Sequence, residues 1–218
     1  MERKFFVSIA GNIGSGKSSL TSLVSKKFEW LAYFESVSDN PYLEDFYSDM
    51  KRWSFNLQVY FLSHRFRVHK EILQQNKSVI QDRSIYEDVE IFAQNLYELG
   101  RMEERDYVNY RNLFKEMCSY LNPPDLLLYL KAKTSTLVKQ IKMRGRDFEK
   151  EIENDYLESL NQSYDSWIKD YSYGRELTIE TDDIDFVNSE EDLHYICNLL
   201  QKKLSEIPIN PQIPLSFQ

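Results

Sequence analysis

Residues 5–10 (FFVSIA) form a short apolar run of aromatic and β-branched side chains that stops at Gly11, the pattern of a buried strand. From Lys17 to Phe28 the period changes. Leu20, Leu23, Val24 and Phe28 recur at helical spacing, so a strand, a glycine turn and a helix follow in order. Further strand-like runs cover 31–35 (LAYFE), 78–82 (SVIQD), 125–130 (DLLLYL, behind the breaker Asn122-Pro123-Pro124) and 176–180 (ELTIE). Amphipathic helical patterns lie between them, over 41–75, 84–121, 134–144, 153–169 and 190–204. Strands alternating with helices predict an α/β fold, a three-layer sandwich whose five-stranded parallel sheet is covered on both faces. No internal repeat occurs. A length of 218 residues fits one domain, taken as 1–204, with 205–218 as a tail in which Pro208, Pro211 and Pro214 exclude a continuing helix.

Charge narrows the partners. Lys and Arg number 27 against 35 Asp and Glu, a net charge of −8, and such a chain repels polyanions. Nucleic acid and anionic membranes are therefore disfavoured, and any phosphate site must be local. Cys118 and Cys197 make neither a CxxC pair nor a disulfide framework, which suits a reducing cytoplasm. No stretch of 18 apolar residues or secretory signal is present. His64 and His69 are five apart, off a common helical face, and His194 is alone, so no histidine metal site is expected.

Candidate chemistry begins in the first glycine turn. The chain has six glycines, and Gly11, Gly14 and Gly16 fall together between the first strand and first helix. Gly11, Asn12, Ile13, Gly14, Ser15, Gly16, Lys17 and Ser18 fit G-x-x-x-x-G-K-[ST], with Ser19 following in the helix. Glycines let backbone N–H groups converge on a phosphate, and the helix N-terminus adds partial positive charge. Lys17 reaches the β/γ-phosphates and Ser18 faces Mg²⁺. The spacing is not that of the dinucleotide loop G-x-G-x-x-G, so a nucleoside triphosphate is expected rather than NAD.

No Asn-Lys-x-Asp motif occurs, which argues against a GTPase. A small kinase needs a carboxylate to accept the acceptor's proton, another near the magnesium, and mobile arginines for the transferring phosphoryl group. Glu35 and Asp82 end the second and third predicted strands, where ligands bind in open α/β sheets. Arg144-Gly145-Arg146 follows a helix carrying Lys139 and Lys142 and reads as an arginine-rich flap. Two other readings share this loop: a nucleoside monophosphate kinase and a catalytically silent nucleotide-binding subunit.

Four segments besides the loop carry a resemblance: Phe34-Glu35-Ser36-Val37, Trp53-Ser54-Phe55-Asn56-Leu57-Gln58, Asp82-Arg83-Ser84-Ile85-Tyr86 and Met143-Arg144-Gly145-Arg146-Asp147-Phe148-Glu149. With the loop, they make the chain resemble the deoxyribonucleoside kinases, and among them the bacterial-type deoxyadenosine and deoxyguanosine kinases. The resemblance implies that Glu35 is the general base for a 5′-hydroxyl, that Arg83 orients Glu35 and contacts phosphate, and that Ser18, Asp82 and Glu35 serve Mg²⁺. It places Gln58 on the base edge, Phe92 stacked on the base, and Arg65 paired with Asp88 near its exocyclic groups. Tyr47 and Glu149 are placed at the 3′-hydroxyl, with Val37, Leu43 and Phe61 completing the pocket. Because thymidine-accepting members carry small or apolar residues where Arg65 and Asp88 stand, purine or cytosine deoxynucleosides are expected, deoxyadenosine first. ATP is the expected donor, a homodimer the expected assembly, and the deoxynucleoside triphosphate end product a possible feedback ligand.

The chain departs from the family in two places. Asp82 stands where Glu is common, and Gln140 stands where other members carry an arginine, which shifts phosphate clamping to Lys139, Lys142 or Arg146. Residues 181–186 (TDDIDF) are similar to the loop that packs on the donor base through its backbone, Asp185 and Phe186, and fit a plain acidic turn equally well.

Overall fold

The computed structural model describes residues 3–35, 40–146, 149 and 152–208. Val37, assigned above to the nucleoside pocket, lies outside the described residues, as do Ser36, Asp147, Phe148 and the tail from 209 onward.

Five parallel strands, β1 (Phe6–Gly11), β2 (Leu31–Tyr33), β3 (Val79–Asp82), β4 (Leu126–Lys131) and β5 (Arg175–Glu180), form one sheet in the order β2-β3-β1-β4-β5. Period-two alternation sends successive side chains of a strand to opposite faces. Val7, Ile9, Leu126 and Leu128 pack with Leu20 and Val24 of α1 (Lys17–Phe28) and Ile196, Leu200 and Leu204 of α9 (Glu190–Ser205). Ala10, Leu127 and Tyr129 join the opposite core, which takes side chains from α3 (Met50–Leu73), α6 (Glu104–Cys118) and α8 (Asn154–Lys169). The expected sandwich is present. Its middle strands β3, β1 and β4 are buried on both faces; β4 reads as a continuous apolar run for that reason, while β1 is interrupted by Ser8 and β3 ends in Gln81 and Asp82.

Two long helical patterns are broken. The first divides into α2 (Leu43–Ser48) and α3 at Asp49, whose side chain accepts from Arg52 N at 3.0 Å and caps α3. The second becomes α4 (Ile85–Glu87), a π-helical turn (Asp88–Ala93) and α5 (Gln94–Glu98), and then a break at Gly100, which has a φ of 65°, before α6. Strand β2 is shorter than expected, so Phe34 and Glu35 follow its end. Packing also runs beyond the expected domain limit of 204: Ile207 is buried, and Arg3 donates to the Ile207 and Pro208 carbonyls at 2.5 and 2.9 Å. Helix α7 (Thr134–Arg144) packs beside α8 and leads into the arginine segment. Among the described residues no helix is long and apolar enough to cross a membrane.

His69 of α3 is fully buried, edge-on to Phe6 at 5.1 Å, with Nε2 against the Asn122 carbonyl at 2.8 Å. Burial holds its pKa down at about 4 from an ordinary 6.5. The unfolded chain thus takes up this proton before the folded one does, and stability falls as pH drops through that window, by about 3 kcal/mol in full. Urea melts at pH 7.5 and pH 4.5 should show a smaller difference in His69→Gln than in the parent. An equal difference in both would remove His69 as the cause.

Candidate active site

The parallel register sets Ile9 beside Asp82 and Gly11 beside Leu130, so the carboxyl ends of β1, β3 and β4 open on one crevice. The phosphate loop crosses it. At Gly16 φ is 90°, and a Cβ would meet the Phe186 ring at 2.8 Å; at Gly14 φ is 85°, and a Cβ would meet the Leu137 carbonyl at 2.9 Å. Only glycine fits both places. Lys17 folds back on the loop, its Nζ donating to the Gly11 and Asn12 carbonyls at 2.9 and 2.8 Å. Two of its three N–H groups are thereby fixed and the third is left for a phosphate oxygen. Burial, helped by Arg83, lowers the Lys17 pKa to about 7, so an anion in the loop restores its charge.

One cavity of about 820 Å³ gathers most of the expected residues. Ile13, Gly14, Gly16, Lys17, Ser18 and Ser19 line its phosphate end, and Lys139, Gln140, Arg144, Arg146 and Asp185 its outer wall. Glu35, Asp82 and Arg83 stand at the centre, with Leu43, Tyr47, Gln58, Phe61, Arg65, Asp88, Phe92 and Glu149 beyond them. Gly11, Asn12 and Ser15 are not on this surface. Gly11 and Asn12 hold the loop from behind, Asn12 Nδ2 donating to Leu157 O and Asn161 Oδ1, both at 2.8 Å. Lys142 is likewise away from the cavity, which leaves Lys139 as the lysine on that wall. Phe186, expected against the donor base, is 6% exposed in the apolar core beneath Gly16; its neighbours Asp185 and Val187 face the cavity instead.

Glu35 sits between two guanidinium groups. Arg65 Nη2 donates to Oε1, and Arg83 Nε lies 3.4 Å from Oε2. Burial pushes the carboxyl up, but Arg65 and Arg83 outweigh it and hold its pKa down at about 2. With both oxygens facing guanidinium groups, Glu35, expected to serve Mg²⁺, offers a metal ion no free oxygen in this arrangement. The remaining pair fits Mg²⁺. Ser18 Oγ donates to Asp82 Oδ2 at 2.5 Å, while Asp82 Oδ1 is buried with no partner among the described residues. A serine hydroxyl and an unmatched carboxylate oxygen beside a phosphate loop suit a hard cation that takes its other ligands from nucleotide and water.

At the far end Arg65 Nε donates to Asp88 Oδ1 at 2.8 Å and lies 2.7 Å from Oδ2, which has no hydrogen-bond partner among the described residues, and its guanidinium lies 5.3 Å over the Phe61 ring. Burial raises the Asp88 pKa to about 7 against the pull of Arg65. Gln58 is 2% exposed, and its Oε1 has no partner among the described residues. Such a buried acceptor is costly unless a ligand meets it. Asp88 and Phe92 project from the π-helical turn, and Arg83 lies 4.5 Å over the Phe92 ring. Tyr47 also lines the pocket, with burial keeping its phenol protonated. At the rim Glu149 holds both flap arginines, Arg144 at 2.6 and 2.9 Å and Arg146 at 3.3 Å.

Sequence reasoning missed two residues. Glu87, wholly buried, accepts from Gly11 N at 3.3 Å and Ser84 N at 2.9 Å and lies 3.5 Å from Arg83 Nη1. Tyr164 of α8 meets Gly11, Glu87 and Arg83. The capping-box spacing Ser84-x-x-Glu87 was a readable signal for the first; nothing local marked the second.

A family model described as deoxynucleoside kinase matches residues 7–205. The chain belongs to the deoxynucleoside kinase family. This kinase is 38% identical to a deoxyadenosine/deoxycytidine kinase of Bacillus subtilis, over 87% of this chain and 88% of that protein. It is 39% identical to a deoxyguanosine kinase of Lactobacillus johnsonii, over 91% of this chain and 92% of that one. A solved deoxyadenosine kinase from M. mycoides with bound dATP superposes with a TM-score of 0.81 at 30% identity, covering 90% of this chain and 99% of the other. The kinase is accordingly an ATP-dependent phosphotransferase with a deoxynucleoside as acceptor, built on a P-loop α/β sandwich.

Proposed function

We propose that this kinase prefers deoxyadenosine, uses Mg²⁺ with ATP, and assigns proton abstraction to Glu35. The observation that carries the base preference is the unmatched Oε1 of Gln58 in the same cavity as the Arg65–Asp88 pair. A carboxamide donates and accepts at once, the pairing that an adenine N6/N7 edge completes. Asp88 accepts from an exocyclic amine, and thymine has none. A pocket built to hydrogen-bond an amine rejects a base lacking it because a buried polar group is then left unpaired. Relatives named for deoxyadenosine, deoxycytidine and deoxyguanosine support this range of acceptors.

The acceptor's 5′-oxygen attacks the γ-phosphorus in line while Glu35 takes its proton. The carboxylate is a weak base while two arginines hold it, which suits a loose transition state in which the hydroxyl becomes acidic late. Arg83 keeps that carboxylate aimed. The free N–H of Lys17, with Arg83, Arg144 and Arg146, offsets charge on the transferring group. Ser18 and Asp82 would hold Mg²⁺, which supplies neutralisation of the β- and γ-phosphate charge. The flap excludes water from the γ-phosphate, and Glu149 serves the 3′-hydroxyl with Tyr47.

A monophosphate acceptor is disfavoured by the use already made of the nearby arginines. Arg65 is taken by Asp88 and Glu35, and Arg52 stacks on Trp53 at 4.4 Å. A homodimer and occupation of the site by a deoxynucleoside triphosphate belong to the same proposal, the latter supported by the relatives solved with dATP and dCTP. Initial rates with ATP and each of the four deoxynucleosides, beside their monophosphates, test the preference. We expect the highest kcat/KM for deoxyadenosine and a value at least about 100-fold lower for thymidine. Comparable thymidine turnover, or transfer to monophosphates alone, would overturn it.

A further inference from the structure

We propose that Tyr164 is a positioning residue for phosphoryl transfer: its hydroxyl fixes the Arg83 guanidinium against the root of the phosphate loop. The inference rests on the role assigned above to Arg83 and Glu35. Among the described residues Arg83 has four polar neighbours at its guanidinium, and they are unequal. Its contacts to Gly11 O, Glu35 and Glu87 measure 3.3, 3.4 and 3.5 Å, whereas Nη1 donates to the Tyr164 hydroxyl at 2.9 Å. The shortest contact, and so the one that sets the orientation of the planar group, comes from α8 rather than from the carboxylate that Arg83 is to aim.

The hydroxyl is placed to do this. Tyr164 is wholly buried, with its ring stacked on Tyr129 at 5.4 Å and 13°, so the oxygen has little freedom. A hydroxyl has one proton to give and two lone pairs to accept with. It accepts from Arg83, and its proton goes to Glu87 Oε1 at 2.7 Å or Gly11 O at 2.9 Å. Gly11 O is also an anchor of Lys17. One tyrosine oxygen therefore joins the lysine that meets phosphate to the arginine that meets the base. Helix α8 is held to the loop a second time, through Asn161 and the Leu157 carbonyl on Asn12. Residues 157, 161 and 164 share a helical face, which leaves α8 no independent rotation against the loop.

Tyr164→Phe removes the oxygen and keeps the ring. We expect kcat to fall about tenfold, with KM for ATP and for deoxyadenosine changed less than about twofold and the circular dichroism of the parent retained. A merely structural role would lower Tm and leave kcat intact. In an Arg83→Lys background, already slowed, the same substitution should change kcat less than about twofold, because the group it positions is gone. An unchanged kcat in Tyr164→Phe, or an equal loss in both backgrounds, overturns the inference alone. Wild-type kcat in Arg83→Lys overturns the Arg83 assignment itself. If Tyr164→Phe melts too low for assay at 25 °C, the same ratios read at 10 °C with both substrates present decide the question.

Discussion

Glu35→Gln is expected to lower kcat by about 10² to 10⁴, the usual contribution of a positioned general base. The amide keeps the shape of the side chain, and its one carbonyl oxygen can still accept from Arg65 or Arg83 though not from both, so nucleoside affinity measured by titration calorimetry should stay within a few-fold. What is lost is the ability to take a proton. The carboxylate is held at about pKa 2 by the two arginines against the effect of burial, so it is ionised in the free enzyme across the working range. A pH profile of kcat/KM should accordingly show no acid limb from Glu35 above about pH 4, since that profile reports the free enzyme. Near-parental turnover in Glu35→Gln would refute the assigned base, and recovery of binding without turnover would support it.

Arg83→Met should be the most damaging single exchange at this site. The arginine is 4% exposed and lies among Glu35, Glu87, Tyr164 and Gly11 O. A methionine fills much of the volume but leaves Glu87, wholly buried, without its cation. Breaking a buried charge pair from one side costs about 3–5 kcal/mol, chiefly through the charge left behind. The same change removes a donor from the transferring phosphoryl group, for which a loss of about 10² to 10³ in kcat is typical. Denaturant melts and single-turnover rates should therefore both move. A stable but slow variant would mean that Glu87 takes up a proton or a water at little cost, and an unstable but fast one that Arg83 is structural.

Much of this arrangement was legible in the chain, for identifiable reasons. The sheet could be read because β1 and β4 are buried on both faces and so are mostly apolar, and the phosphate loop because it needs glycines at fixed spacing. Glu35 and Asp82 were found because the carboxyl ends of parallel strands converge. The breaks at Asp49 and Gly100 carry local signals, a capping side chain and a left-handed residue, that a reading by hydrophobic period alone passes over. The π-helical turn at Asp88–Ala93 has no such signal, since it is settled by packing among α3, α6 and α8. Tyr164 is 153 residues from the carbonyl it meets, and among fifteen tyrosines nothing in its neighbours in sequence distinguishes it. Phe186, expected to face the donor base, instead has its ring in the core, because the turn after β5 sends it inward and its neighbours outward.

That inward ring has a consequence for how the protein could be recombined. Gly16 rests on Phe186, while Asp185 and Val187, on either side of the same residue, form part of the cavity wall. The seat of the phosphate loop and the wall beside the donor are thus carried by one short stretch of chain. In chimeras with a relative, any junction between residues 18 and 186 takes the phosphate loop from one parent and its seat from the other; a junction before β5 at least keeps that seat and the cavity wall together, whereas one inside 185–187 divides them. Donor preference should travel as a cassette with the carboxy-terminal segment, and single exchanges within 181–188 should be tolerated less well than replacement of the whole turn.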